Sequence, residues 1–99
     1  MVEVRKTEAF AKWIDGLRDV RGRAKVLARI ERLAAGNVGD ARPVGEGGSE
    51  LRIDFGPGYR VYLKWRGASL VILLAGGDKG SQATDIARAK RLAGHLEDG

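Results

Sequence analysis

The chain has no cysteine, which excludes disulfides and thiol chemistry and fits a reducing compartment. Its one histidine, His95, leaves a structural zinc site without ligands and any Ser/His/Asp catalytic set without support. A bare magnesium site built from carboxylates stays open but has no clustered Asp/Glu motif to support it, so no metal or other cofactor is expected. Long apolar runs are missing: the longest, Leu70 to Ala75, falls far short of the roughly 20 residues that span a bilayer. The N-terminus lacks a basic stretch followed by an apolar one, so no secretory signal is expected. The expected location is cytoplasmic, with no membrane partner.

Apolar residues make up 43% of the 99 positions and charged residues 31%, a balance that supports one folded domain over residues 1–99. The charge is uneven in sign, +5 net with a pI near 10.0, and a basic surface favours a polyanionic partner.

Val2 to Arg5 reads as a short strand. Thr7 is placed to cap a helix carrying Phe10, Trp13, Ile14 and Leu17 at helical spacing. Asp19 opens a second helix running to about Ala35, which Gly36 would end in a left-handed conformation. On that helix Val26, Leu27, Ile30, Leu33 and Ala34 share one face, and Arg21, Lys25, Arg29 and Arg32 gather on the other. Two such helices joined by a short turn predict a helical hairpin lying on a sheet.

Gly36 to Gly48, with Pro43, reads as a loop. Three strands follow: Glu50 to Phe55, then Tyr59 to Arg66 after the Gly56-Pro57-Gly58 turn, then Leu70 to Leu74. The last is apolar on both sides, as expected of a central strand covered twice. Gly76 to Gly80 forms a second glycine-rich loop, and Ser81 is a candidate cap for a final helix with Ile86, Ala89, Ala93 and Leu96 on one face. The predicted class is α+β, with the order β-α-α-β-β-β-α and an antiparallel sheet.

The Tyr59–Arg66 strand carries the most chemistry. Val61, Leu63 and Trp65 form its core side, while Arg60, Tyr62, Lys64 and Arg66 share the other, joined by Arg52 from the neighbouring strand. A basic face interleaved with an aromatic suits RNA, because cations neutralise phosphates and a ring stacks on bases. A solvated face of an antiparallel sheet carries the same pattern. Gly77-Asp78-Lys79-Gly80, between a buried strand and a helix start, would aim backbone N–H groups and the Lys79 ammonium at an anion. An ordinary turn capped by Asp78 or Ser81 would look alike in sequence. Trp13 and Trp65 read as core, and His95 as a helix C-terminal residue.

The segment Gly56-Pro57-Gly58-Tyr59-Arg60-Val61-Tyr62, followed by Leu73 to Lys79 and then Gln82, Asp85-Ile86 and Ala89, resembles the phage-derived addiction-module killer proteins. These are a HigB-like branch of the RelE/ParE superfamily of bacterial toxins, and the resemblance spans essentially the whole chain. It implies a RelE-like fold with an N-terminal helical hairpin and a C-terminal helix. It also implies a toxin neutralised by a cognate antitoxin of helix-turn-helix type in a hetero-oligomer. The implied activity is a metal-independent endoribonuclease cutting mRNA at the ribosome. Its chemistry, attack of the ribose 2′-OH on the adjacent phosphate, needs charge stabilisation more than a special nucleophile.

Carried over by position, Arg60 of the GYR motif is the first candidate for phosphate stabilisation and Lys79 the second. Asp78 is the candidate general base and Tyr62 the candidate acid; Arg52, Lys64 and Arg66 are candidates for holding the RNA. The basic stripe on the second helix suits an acidic antitoxin segment. Two other readings stand beside this one: a ParE-like inhibitor of DNA gyrase, which needs no catalytic residues, and a non-catalytic nucleic-acid-binding module.

Overall fold

The structure, a computed structural model, describes residues 1–98; Gly99, the end of the expected 1–99 domain, lies outside the described residues. The elements run β1 (Glu3–Lys6), α1 (Glu8–Gly16), α2 (Val20–Ala34), β2 (Ala41–Gly45), β3 (Gly48–Ile53), β4 (Tyr59–Arg66) and β5 (Leu70–Asp78). A 3₁₀ turn at Lys79–Ser81 then leads into α3 (Gln82–Asp98). The class is α+β, as the patterning predicts. One five-stranded sheet has the order β1-β5-β4-β3-β2.

The sheet is mixed rather than antiparallel, because β1 pairs in parallel with β5. A parallel neighbour requires a long crossover, and the whole of α1 to β4 supplies it. The remaining pairs, β5-β4, β4-β3 and β3-β2, are antiparallel.

Local chemistry sets the helix starts. Thr7 Oγ1 accepts from the Phe10 N–H at 3.1 Å and donates to the Leu74 carbonyl at 2.7 Å, so one hydroxyl both caps α1 and ties it to β5. Asp19 caps α2 by accepting from the Gly22 N–H at 2.9 Å. Gly36 ends α2 with φ +98°, the conformation that favours glycine. α1 lies on β5 and β1, and α2 over β3 and β4. Their stripes meet in a shared core of Phe10, Ile14, Val26, Leu33, Val61 and Leu63.

Two residues of α2 depart from the expected faces. Leu27, expected in the core stripe, is 43% exposed at its edge. Arg29, expected on the solvated face, is buried, because the chain after α2 folds back over it. Its guanidinium Nη2 donates to the carbonyls of Val38 at 2.5 Å and Asp40 at 3.4 Å, so it anchors that segment. Desolvation lowers its pKa from the ordinary arginine value.

The expected loop at 36–48 contains β2, which forms an edge hairpin with β3. Proline removes a ladder donor and is tolerated at an edge, where Pro43 sits. The expected glycine loop at 76–80 is also shorter, since Gly76 and Gly77 continue β5. A bulge sets their directions. Tyr62 pairs with Ala75 but Leu63 with Leu73, so Leu74 is the extra residue and the alternation shifts phase beyond it. Gly76 then faces Trp13, and Gly77 faces Ser81 and Asp85.

The second core lies on the opposite sheet face, where Ala89 and Ala93 of α3 sit close over Tyr62, Ile72, Leu74 and Ala75. This overturns the open basic face expected for β4. Arg60, Tyr62 and Lys64 alternate as predicted, but all three are buried, Tyr62 directly under α3.

Candidate functional site

At the end of the β3-β4 hairpin, where α3 begins, the sheet leaves a hollow of about 420 Å³. Arg52, Arg60 and Lys79 line it together with Gly58 and the carboxylate residues Asp40 and Asp54. Arg52 and Arg60 are directly opposite each other in the β3-β4 ladder, which places two guanidinium stems side by side. Lys79 arrives from the 3₁₀ turn after β5. Gly58, at φ +80°, is the meeting point: a Cβ built on it would lie 3.4 Å from both Arg60 Nη1 and Lys79 Cβ. The glycine of the GPGYR turn therefore both supplies the turn and leaves room for the two cations to converge.

The Arg60 side chain is only 6% exposed and reaches the hollow by its tip. Its Nη1 donates to the carbonyls of Gly58 at 3.1 Å and Tyr59 at 3.2 Å. Behind it lies Glu50, a carboxylate 3% exposed, with Oε1 at 3.7 Å from Arg60 Nε and 3.8 Å from Arg52 Nε. Its other oxygen accepts from Gln82 Nε2 at 2.7 Å, which links the pair to the first residue of α3. A buried carboxylate this close to a buried guanidinium fixes the direction in which the cation points. Glu50 was not singled out in the sequence; the signal was a carboxylate on the same face of β3 as Arg52, opposite Tyr62.

The remaining sequence candidates fall elsewhere. Tyr62 is fully buried under α3, its hydroxyl makes no hydrogen bond, and it does not line the hollow. Burial, with Glu50 and Asp85 nearby, pushes its phenol well above the usual tyrosine range. The fold therefore does not bring Tyr62 to the hollow, among the cations beside which the acid role was expected. Asp78 is occupied as a cap: its Oδ1 accepts from the Ser81 N–H at 3.1 Å, and its own N–H donates to Ser81 Oγ at 3.3 Å. The expected choice between Asp78 and Ser81 as cap thus resolves into a reciprocal pair around the 3₁₀ turn. Lys64 lies beneath the β2-β3 turn, close to Gly47. Arg66 donates to the Leu96 carbonyl at 3.3 Å, a cation at the C-terminal end of α3. Neither reaches the hollow.

A protein of Haemophilus influenzae described as uncharacterized is 50% identical over 95 residues, which cover 96% of this chain and 96% of that protein. The chain belongs to that protein's family. No family model matches the chain.

In this member of the Haemophilus protein's family, the carboxylates at the hollow are Asp40 and Asp54, not Asp78. Sequence reasoning singled out neither: Asp40 lay in an assumed loop, and Asp54 was read within the Glu50–Phe55 strand, on the polar side with Arg52, without a role. A second hollow, also about 420 Å³, adjoins the first and shares Asp40, Arg52, Ile53 and Asp54 with it. Lys25, Arg29 and Arg32 of α2 contribute to its wall. Among the described residues, no group of His, Cys, Asp or Glu side chains is placed to hold a metal ion, and no helix is long and apolar enough to cross a membrane.

Proposed function

We propose that this chain is the toxin of a type II toxin–antitoxin pair, with a RelE-like fold and endoribonuclease activity on mRNA at the ribosome. The observation that carries the reading is the convergence of Arg52, Arg60 and Lys79 on one hollow. Three cations from different strands and a turn, held over a glycine that leaves space for an anion, suit a phosphodiester.

In the proposed step the ribose 2′-oxygen attacks the adjacent phosphorus and the bond from phosphorus to the 5′-oxygen breaks. The products are a 2′,3′-cyclic phosphate and a 5′-hydroxyl. Charge accumulates on the phosphoryl oxygens in between, and fixed guanidinium and ammonium groups stabilise that charge more than they stabilise the ground state. Asp40 and Asp54, at the rim of the hollow, are the acceptors for the 2′-OH proton; solvent supplies the proton for the leaving oxygen. The partner is a cognate antitoxin, of helix-turn-helix type, forming a hetero-oligomer with the toxin.

One observation favours a second reading. Neither Tyr62 nor Asp78 lines the hollow, so the acid–base inventory is small, and a module that binds nucleic acid without cutting it would need no more than the cations. A gyrase inhibitor has no such requirement for a cationic hollow.

Induction of the chain in bacteria, followed by mapping of transcript ends, separates the three. New RNA ends that disappear with Lys79→Ala support cleavage. DNA breaks instead of RNA ends support gyrase poisoning, and neither lesion supports a binding module.

A further inference from the structure

We infer that the second hollow is a subsite for the same RNA strand, holding a backbone phosphate upstream or downstream of the one held by Arg60 and Lys79. The inference rests on the RNA reading above and extends it to the path of the substrate.

Lys25, Arg29 and Arg32 stand at i, i+4 and i+7, one face of α2, and all three line this hollow with Asn37 and Phe55. Arg21, the fourth cation of the stripe, does not. The stripe is therefore divided by the fold: Arg29 is buried, while Lys25 and Arg32 stay exposed at the edge of the hollow. The carbonyls of Val38 and Asp40 hold Arg29 in place, which fixes one wall of the hollow before any ligand arrives.

The two hollows are continuous through Asp40, Arg52, Ile53 and Asp54. Together they present six cations (Lys25, Arg29, Arg32, Arg52, Arg60 and Lys79) against two acidic residues. The shared partition holds Asp40, Asp54 and Arg52, with Arg60 and Lys79 on one side and Lys25, Arg29 and Arg32 on the other. A polyanion with discrete, spaced charges fits this excess of cations, with a phosphate on either side of the partition. Phe55 adds a half-buried ring, already carrying the Lys25 ammonium 5.8 Å from its centroid, against which a base can stack. A run of adjacent acidic side chains would put charge directly against Asp40 and Asp54.

The test is binding of 2′-fluoro oligonucleotides, which retain every phosphate but have no 2′-oxygen nucleophile. A dinucleotide and a hexanucleotide are compared on the wild type and on the double variant Lys25→Glu/Arg32→Glu. Both substituted side chains are exposed on α2, and thermal melting checks that the fold is kept. A second double variant, Lys6→Glu/Arg91→Glu, changes the net charge equally at exposed positions outside both hollows.

The hexanucleotide should bind the wild type more tightly than the dinucleotide. The α2 variant should lose at least about tenfold of the hexanucleotide affinity, and its slope of log K against log salt should fall by about 1.4, two phosphate contacts of a single strand. The control pair should leave that slope unchanged. Equal hexanucleotide affinity and slope in the wild type and the α2 variant would overturn the subsite while leaving the RNA reading intact. Failure of the wild type to bind either oligonucleotide would overturn both. A short poly-glutamate peptide that binds the wild type as tightly as the hexanucleotide, and is lost with the α2 variant, would assign the hollow to an acidic protein segment and overturn the subsite.

Discussion

Glu50 Oε1 lies 3.7 Å from Arg60 Nε, and both side chains are almost wholly buried between the sheet and the start of α3. Removing one member of such a pair leaves an uncompensated charge in a poor solvent for it, which costs more than the pair contributes. Glu50→Gln should therefore destabilise the chain by about 3 kcal/mol in urea unfolding. The double variant Glu50→Gln/Arg60→Gln should recover part of that loss. Additive losses would mean that the two side chains do not interact.

The same burial governs how the functional hypothesis is tested. Arg60→Ala would strip Glu50 of a close counter-charge, so lost toxicity could follow from lost folding. Arg60→Lys keeps the buried charge but removes the planar fork, and should lower the rate of RNA cleavage about 100-fold with stability largely retained. Lys79 is exposed on its turn, so Lys79→Ala should lower the rate with no change in melting temperature. Full cleavage activity in both variants would remove the basis of the proposed reaction.

Tyr59 Oη donates to Asp19 Oδ2 at 2.7 Å, joining the GPGYR turn to the cap of α2. This hydrogen bond, aided by burial, raises the Tyr59 pKa from 10.0 to about 12. Asp19 is lowered from 3.8, first by the Gly22 N–H and then by Tyr59. A raised tyrosine stabilises the fold fully below its ordinary value, and that stabilisation is lost as the pH climbs from 10.0 to about 12. The lowered carboxylate acts in the opposite direction, its stabilisation present above 3.8 and lost as acid protonates it. The stability difference between wild type and Tyr59→Phe should therefore be greatest between these limits and shrink at both ends. A difference independent of pH would show that the hydrogen bond contributes nothing.

Both tyrosines of the chain are held above the usual range. An absorbance titration should show no tyrosinate near pH 10, the ordinary midpoint. Tyr62→Phe removes a buried hydroxyl that makes no hydrogen bond, so stability should stay level or rise by about 1 kcal/mol, with cleavage retained. Loss of cleavage in a folded Tyr62→Phe protein would reinstate Tyr62 as the acid.

Trp13 of α1 occupies the space into which a side chain at Gly76 would project. Gly76→Ala should cost about 1–3 kcal/mol in urea unfolding through displacement of that ring from the core. A neutral result would mean that α1 slides on β5 more freely than its packing implies.

The sequence by itself determined the elements whose cause is local. Thr7 and Asp19 cap helices because a side-chain oxygen reaches an N–H three residues on, and Gly36 ends α2 because glycine takes positive φ. The alternation of β4 sorts Val61 and Leu63 from Arg60, Tyr62 and Lys64 whatever covers them. What covers them was decided by tertiary structure alone. Period-two alternation specifies two faces and says nothing of whether solvent or another element meets the polar one, so only the closed fold buried Tyr62 under α3 and Lys64 beneath the β2-β3 turn. The parallel pairing of β1, the edge strand at Pro43, the anchoring of Arg29 and the meeting of Arg52, Arg60 and Lys79 are likewise contacts between distant segments. Their free energy comes from burial and hydrogen bonding that exist only once the chain has closed on itself, so no local pattern records them.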